Sequence, residues 1–121
     1  MKKPDHERLK KILNTWQALR EQIDARGITR EMVLTDAFTQ WAITTPLYNI
    51  GEQVYHLSDD LKKRTPDIPW SAVSGIRHRL VHDYEGINWT LLVDVLFDEM
   101  PGFIEAVGNI LQKMEQDLPE K

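Results

Sequence analysis

Apolar residues recur every three or four positions through most of this 121-residue chain. Near the start they are separated by Lys, Arg, Glu and Gln, which is the pattern of a long amphipathic helix that buries one face. The residues in this first stretch are Leu9, Ile12, Leu13, Trp16, Leu19 and Ile23. No segment alternates with a period of two for long enough to indicate a β-sheet. The periodicity therefore predicts an all-α fold.

The first two helices are delimited by turn and capping residues. Gly27 is a suitable stop for the first helix, and Asp36 is a suitable cap for the second. The second pattern contains Pro46, which removes a backbone donor and clashes with the preceding turn. Either the helix kinks near Thr45 or two helices meet there, and the kink is favoured because the apolar period resumes on both sides.

Similar signals delimit the rest of the chain. Ser58 begins a brief helical turn, and a third sizeable helix runs from Trp70 to near Asp83. Asn88 caps a further helix, and Pro101 fits the first turn of a last one. Together these elements predict an up-and-down bundle of four long helices plus a short helix.

Composition limits the architecture and the cellular compartment. A hydrophobic content of 41% is enough for an ordinary core, so we expect a single helical domain over residues 1–121. Without cysteine the chain has no disulfides or thiolate metal sites, and we expect it in the cytoplasm. The charged start lacks the apolar run of a signal peptide or membrane span, so no membrane association is expected. The tryptophans, four in number, are expected mainly in the core.

Charge is distributed unevenly. The net charge of -4 argues against a general basic surface that grips duplex nucleic acid. The segment Leu61–His82, however, has five basic residues and one acidic residue, a net charge of +4, which leaves -8 for the remainder. A local anionic ligand is therefore plausible, although Lys62, Lys63 and Arg64 fit a solvated helix face equally well.

The segment from Arg77 to Tyr84 reads Arg-His-Arg-Leu-Val-His-Asp-Tyr and carries the candidate active-site residues Arg77, His78, His82 and Tyr84. Arginine offers a planar fork for phosphate, histidine titrates near neutral pH, and tyrosine supplies a hydroxyl. On an uninterrupted helix Arg77 and His82 are separated by roughly 140°. Either the helix ends before His82, or a second subunit completes the site around one phosphodiester.

Such a pocket suits transfer within RNA, in which a histidine accepts the 2′-hydroxyl proton and an arginine stabilises the charge on the phosphoryl oxygens without a metal. The same residue types also fit purely structural roles. His82 also fits a helix C-terminus, where it interacts with the dipole, and Tyr84 fits packing under a turn. His78 and His82 share a helix face as metal ligands do, but no third ligand has a recognisable spacing.

The same region resembles the HEPN-domain family of the HepT type, the toxin halves of prokaryotic toxin–antitoxin pairs. The family motif is Arg, four residues, His, one residue and Tyr, and it falls on Arg77, His82 and Tyr84. The resemblance extends over most of the chain and includes several flanking segments: Asp67–Trp70, Ser74–Ile76, Gly86-Ile87, Ile50–Glu52 and Met100-Pro101.

The resemblance implies a helical bundle that forms a homodimer, or a higher assembly, with the motifs facing each other. It further implies a metal-independent endoribonuclease toxin of a type II/VII-like system that needs no cofactor and acts on RNA. Its partner would be a minimal nucleotidyltransferase antitoxin that adds AMP to Tyr84. Relatives commonly have asparagine after the arginine, and this chain has His78, which would be a further acid or base or would keep a polar contact.

A second hypothesis is a non-catalytic subunit that docks a nucleotidyltransferase and presents Tyr84 or a groove for nucleotide or RNA. The acidic net charge and His78 favour it. Toxicity on expression without the partner, relieved by His82→Ala, would single out the enzyme.

Overall fold

A computed structural model describes residues 3–82 and 86–117, and within them every regular element is helical. The elements are α1 (Lys3–Arg26), α2 (Arg30–Thr35), α3 (Ala37–Tyr55), α4 (Asp59–Arg64), α5 (Trp70–His82), α6 (Trp89–Asp94) and α7 (Met100–Asp117), with the π-helical segment Val95–Glu99 between the last two. The all-α class is confirmed, and α1, α3, α5 and the joined α6 and α7 are the four long helices. A second short helix, α2, lies where the sequence predicts only a connector.

The predicted helix boundaries are found where a local capping interaction specifies them. Gly27 adopts φ of +61° and ends α1, a conformation that favours glycine. Asp36, Ser58 and Asn88 each accept a hydrogen bond from the backbone N–H three residues later, which begins α3, α4 and α6. The positions of these three helix starts are confirmed.

Helical backbone continues through Pro46 and from α6 into α7. α3 runs through Pro46 as one helix, so the alternative of two helices meeting there is not adopted. The two helices predicted from Asn88 and Pro101 are α6 and α7, and the π-helical segment Val95–Glu99 joins them without a non-helical break. Pro101 nevertheless lies in the first turn of α7, where its missing N–H is least costly.

The core lies between α1, α3, α5 and α7. α3 packs against both α1 and α5, and α1 also packs against α7. Trp16 and Trp70 are buried as predicted, but Trp41 is 60% exposed. Trp41 lies two residues before the buried Ile43, a separation of about 200° around a helix, so it faces away from the core. None of the described helices is both long enough and apolar enough to cross a membrane.

An ion-pair cluster holds α2 against the π-helical segment. The guanidinium of Arg30 donates hydrogen bonds to the carboxylate of Asp98, lies 3.9 Å from Asp94 Oδ1 and stacks 5.2 Å from the centre of the Phe97 ring. The hydrogen bond from Arg30 lowers the pKa of Asp98 and raises the pKa of Arg30 itself. This cluster, the cap of α2 by Thr29 and the burial of Val33 hold the short helix α2 against its neighbours.

Candidate active site

The crossing of α3 over α5 is unusually close at Gly51. A Cβ atom placed on Gly51 would lie 2.9 Å from Arg77 Cβ and 3.2 Å from the carbonyl oxygen of Val73. No side chain fits there without displacing α5, so glycine permits the backbone contact. The crossing therefore places the base of the Arg77 side chain directly against α3.

Arg77 is anchored by two side chains of α3. Its Nε lies 3.1 Å from Glu52 Oε1, and its guanidinium carbon lies 3.9 Å from the centre of the Tyr55 ring. Nε is buried but makes no hydrogen bond of good geometry, so the contact with Glu52 is an ion pair. Within the described residues, no hydrogen-bond partner is found for Nη1 or Nη2.

Glu52 is itself held by its neighbours on α3. The Tyr48 hydroxyl donates a long hydrogen bond of 3.4 Å to Glu52 Oε2, and His56 Nε2 lies 3.9 Å from Glu52 Oε1. The rings of Tyr55 and His56 meet edge to face with their centres 5.1 Å apart. We call Tyr48, Glu52, Tyr55 and His56 the α3 anchor of Arg77.

The predicted site residues fall partly within the described structure. Arg77 is half-buried in the α3 anchor, and His78 is exposed at the next position of α5. His82 is the last residue of α5, and only its backbone is described. The side chain of His82 and the whole of Tyr84 lie outside the described part of the chain. The proximity of His82 and Tyr84 to Arg77 therefore stays a prediction.

The course of α5 bears on one of the two geometries left open by the spacing. α5 remains helical as far as His82, so the alternative in which the helix ends earlier is not adopted. Five residues of helix separate Arg77 from His82 by roughly 140° and about 7.5 Å along the axis. At this separation the two side chains leave α5 in different directions, and whether a second subunit completes the site stays a prediction.

The α3 anchor is the part of the site that sequence reasoning missed. The sequence patterns do not single out Tyr55, and Glu52 enters only through the family resemblance. The period of a helix gives no indication of which turn crosses a neighbouring helix. Gly51 was the available signal, because an isolated glycine inside a helical pattern often marks a close contact.

Two of the surface grooves differ in whether they share residues with the α3 anchor. A groove of about 810 Å³ runs between α1 and α3, and neither Arg77 nor His78 lines it. A second groove of about 610 Å³ is lined by Tyr55, Lys62, Ser71 and Ser74, among others. Because Tyr55 also supports Arg77, the smaller groove adjoins the candidate site. Among the described residues, no three His, Asp or Glu side chains are grouped as metal ligands would be.

Comparison with known families identifies the family to which the chain belongs. The sequence profile described as Ribonuclease HepT-like matches residues 7–110, which is most of the chain. The chain belongs to the HepT-like ribonuclease family. The resemblance of the Arg77 segment to the HepT type is thereby confirmed.

Three of the relatives that are named as ribonucleases illustrate the similarity. A "Putative RNase" of Caldanaerobacter subterraneus is 31% identical over 105 residues, covering 87% of this chain and 92% of the relative. A "Putative RNase" of Methanocaldococcus jannaschii is 32% identical and covers 73% of each chain. The "Probable ribonuclease HepT" of Thermococcus cleftensis is 33% identical, covering 63% of this chain and 69% of the relative. No solved structure is a significant match.

Proposed function

We propose that this HepT-like protein is a metal-independent endoribonuclease in which Arg77 binds the scissile phosphate and His82 transfers protons. The observation that carries this proposal is the anchoring of Arg77. A half-buried guanidinium held by Glu52 and Tyr55, with its terminal nitrogens unpaired among the described residues, suits recognition of a phosphodiester.

The proposed reaction is an attack within the RNA strand. His82 accepts the proton of a 2′-hydroxyl, and the 2′-oxygen forms a bond to the adjacent phosphorus. The bond from phosphorus to the 5′-oxygen breaks, and a second imidazole, from His78 or the partner subunit's His82, protonates that oxygen. Arg77 stabilises the negative charge that grows on the phosphoryl oxygens. The products are a 2′,3′-cyclic phosphate end and a 5′-hydroxyl end.

A homodimer through α3 would complete this site. Trp41, Tyr48 and Tyr55 follow one another at intervals of seven residues, the spacing of helices that pack side by side. Trp41 and Tyr55 are exposed, and so is Phe38 one turn before Trp41. Because Tyr55 contacts Arg77, a two-fold axis along this stripe brings the two arginines near the interface. The geometry then allows His82 of one subunit to serve Arg77 of the other.

The groove beside Tyr55 offers a path for RNA next to the scissile phosphate. Lys62 provides a cation for a neighbouring phosphate, and the hydroxyls of Ser71 and Ser74 provide hydrogen bonds for sugar or base. Single-stranded RNA is favoured over a duplex because the chain is acidic overall and the local excess of positive charge around Arg77 is limited to the segment Leu61–His82.

The family relationship also supports a role as the toxin of a cytoplasmic toxin–antitoxin pair. The antitoxin would be a minimal nucleotidyltransferase that transfers AMP to the hydroxyl of Tyr84. Tyr84 follows His82 by two residues, so a bulky anionic AMP group there would exclude the phosphate of RNA from the site. This modification would silence the enzyme without unfolding it.

The activity is tested by RNA cleavage in excess EDTA. Arg77→Ala should lower cleavage by 10²-fold or more, as loss of one preorganised donor to an oxyanion does. His82→Ala should have a similar effect. Arg79→Ala is the matched control, because it removes an exposed arginine from the same helix and should change cleavage by less than about threefold. Wild-type cleavage by both Arg77→Ala and His82→Ala would refute the proposed site.

The toxin role is tested by expression with and without the candidate antitoxin. Expression of the chain alone should arrest growth, and His82→Ala should relieve the arrest. Co-expression should add the mass of AMP to the wild-type protein and not to Tyr84→Phe. An unmodified wild-type protein that is nevertheless neutralised would contradict AMP transfer to Tyr84.

A further inference from the structure

We propose that Glu52 is the positioning residue that orients Arg77 for catalysis. The inference rests on the proposed ribonuclease function, because it concerns the same guanidinium. Glu52 acts through Arg77 and has no contact with RNA in this account.

The contacts around Arg77 restrict the guanidinium from three sides. Gly51 brings the base of the side chain against α3, Glu52 Oε1 lies 3.1 Å from Nε, and the Tyr55 ring lies 3.9 Å from the guanidinium carbon. An arginine side chain has several rotatable bonds and loses substantial rotamer entropy when it is ordered. The Tyr55 ring fixes the plane of the guanidinium, and Glu52 fixes its Nε edge. Nη1 and Nη2 are then oriented, before RNA binds, as a pair of hydrogen-bond donors.

Glu52 is in turn restricted on both of its carboxylate oxygens. Tyr48 donates a hydrogen bond to Oε2, and His56 lies 3.9 Å from Oε1. The side chains of Glu52 and Arg77 are only 33% and 23% exposed, so their pairing is less screened than that of a surface ion pair. A carboxylate in this position is therefore a defined support for the arginine.

The negative charge of Glu52 allows its effect on the orientation of Arg77 to be distinguished from an effect on RNA binding. A carboxylate beside Arg77 offsets part of the positive potential that attracts phosphate, so Glu52 opposes the binding of RNA. A residue that weakens attraction but fixes geometry favours the transition state over the ground state. Removal of the charge should thus lower kcat without raising KM.

Glu52→Gln tests this separation because it keeps the shape of the side chain and removes its charge. We expect kcat for RNA cleavage in EDTA to fall about tenfold, as small displacements of catalytic groups do. KM should stay the same or decrease. Glu52→Asp, which keeps the charge on a shorter stem, should retain more of the wild-type kcat. Asp24→Asn is the matched control, because it removes the carboxylate of the α1 ion pair with Arg20, and its kcat should be within about twofold of wild type.

A kcat for Glu52→Gln within twofold of wild type would overturn the inference, and so would a lower kcat/KM that arises from a raised KM. If Glu52→Gln does not fold, Tyr48→Phe decides, because it removes only the hydrogen bond to Oε2. We expect its kcat to fall about twofold to threefold with KM unchanged, and a wild-type kcat would again overturn the inference. Wild-type activity of Arg77→Ala would instead refute the proposed function, so the two failures are distinguishable.

Discussion

The two faces of α3 have similar apolar character and opposite environments. Ile43, Leu47 and Val54 on one face are at most 2% exposed, whereas Phe38 and Trp41 on the other are 70% and 60% exposed. Both faces follow a helical period, so periodicity alone does not separate them. The difference shows that α3 carries more apolar surface than one subunit buries. In the proposed dimer this exposed face would meet a second copy of the chain, and its Tyr55 supports Arg77.

Truncation on the buried face should have the largest effect on stability. Leu47→Ala leaves a cavity between packed helices and should lower the free energy of unfolding by about 3 kcal/mol. Denaturant titration measures this loss, which should be the same at low and high protein concentration. A loss that grows on dilution would mean that Leu47 belongs to the subunit interface and that the two faces are not separate.

Truncation on the exposed face should act on association instead. Trp41→Ala removes a large aromatic side chain from the centre of the proposed interface and should raise the dimer dissociation constant about 30-fold. Sedimentation velocity over a dilution series measures this constant. Wild-type dimerisation by both Trp41→Ala and Phe38→Ala would remove the proposed role of this face.

Gly51 lies where the buried face approaches the α3 anchor, and its replacement should affect both. In Gly51→Ala the new methyl group meets Arg77 Cβ, and the strain exceeds the gain in helix propensity by about 1 kcal/mol. Cleavage should fall together with the melting temperature. Gly75→Ala in α5 is the matched control, because its methyl group meets nothing within 4 Å.

The control should raise the free energy of unfolding by about 0.5 to 1 kcal/mol through helix propensity alone. Thermal unfolding of both variants tests this difference in sign. Equal effects of the two substitutions would show that the helices do not cross closely at Gly51.

The smallest expected effect concerns the start of α3. The hydroxyl and backbone N–H of Thr39 donate hydrogen bonds to Asp36 and lower the pKa of its carboxyl group. A depressed folded-state pKa stabilises the protein above the ordinary carboxyl pKa, and this contribution is lost as the pH falls through the folded-state pKa.

Thr39→Val removes the hydroxyl donor, so the pKa of Asp36 should move back toward its ordinary value. NMR titration of the Asp36 carboxyl carbon measures the change. The stability difference between wild type and Thr39→Val should shrink as the solution is acidified below that pKa. An unchanged pKa would show that the backbone N–H alone holds the carboxylate.

The comparison of the two faces also shows how far this sequence specifies its structure. Helix starts at Asp36, Ser58 and Asn88 were predictable because each depends on a backbone N–H three residues away. The exposure of Trp41 and the pairing of Glu52 with Arg77 depend on which helices cross, which no local pattern encodes. α2 packs against α3 and α6, and the capping residue Thr29 was a local signal for it that was not recognised.

The candidate site was predictable in its residue types and less so in its geometry. Arg77 was identified from its chemistry and its motif, and the structure supplies the anchor that explains how it is oriented. The place of His82 and Tyr84 in the site lies outside the described side chains and stays a prediction. Spacing along one helix cannot predict a contact between two subunits.

The central claim is that Arg77 binds an RNA phosphodiester that is cleaved by attack of the adjacent ribose 2′-hydroxyl. Mass spectrometry of RNA ends after digestion in excess EDTA tests this directly. Wild-type protein should leave 2′,3′-cyclic phosphate and 5′-hydroxyl ends, and Arg77→Ala of equal helical content should leave almost none. Cyclic phosphate ends at wild-type yield from Arg77→Ala, or 3′-hydroxyl ends from the wild-type protein, would contradict the account.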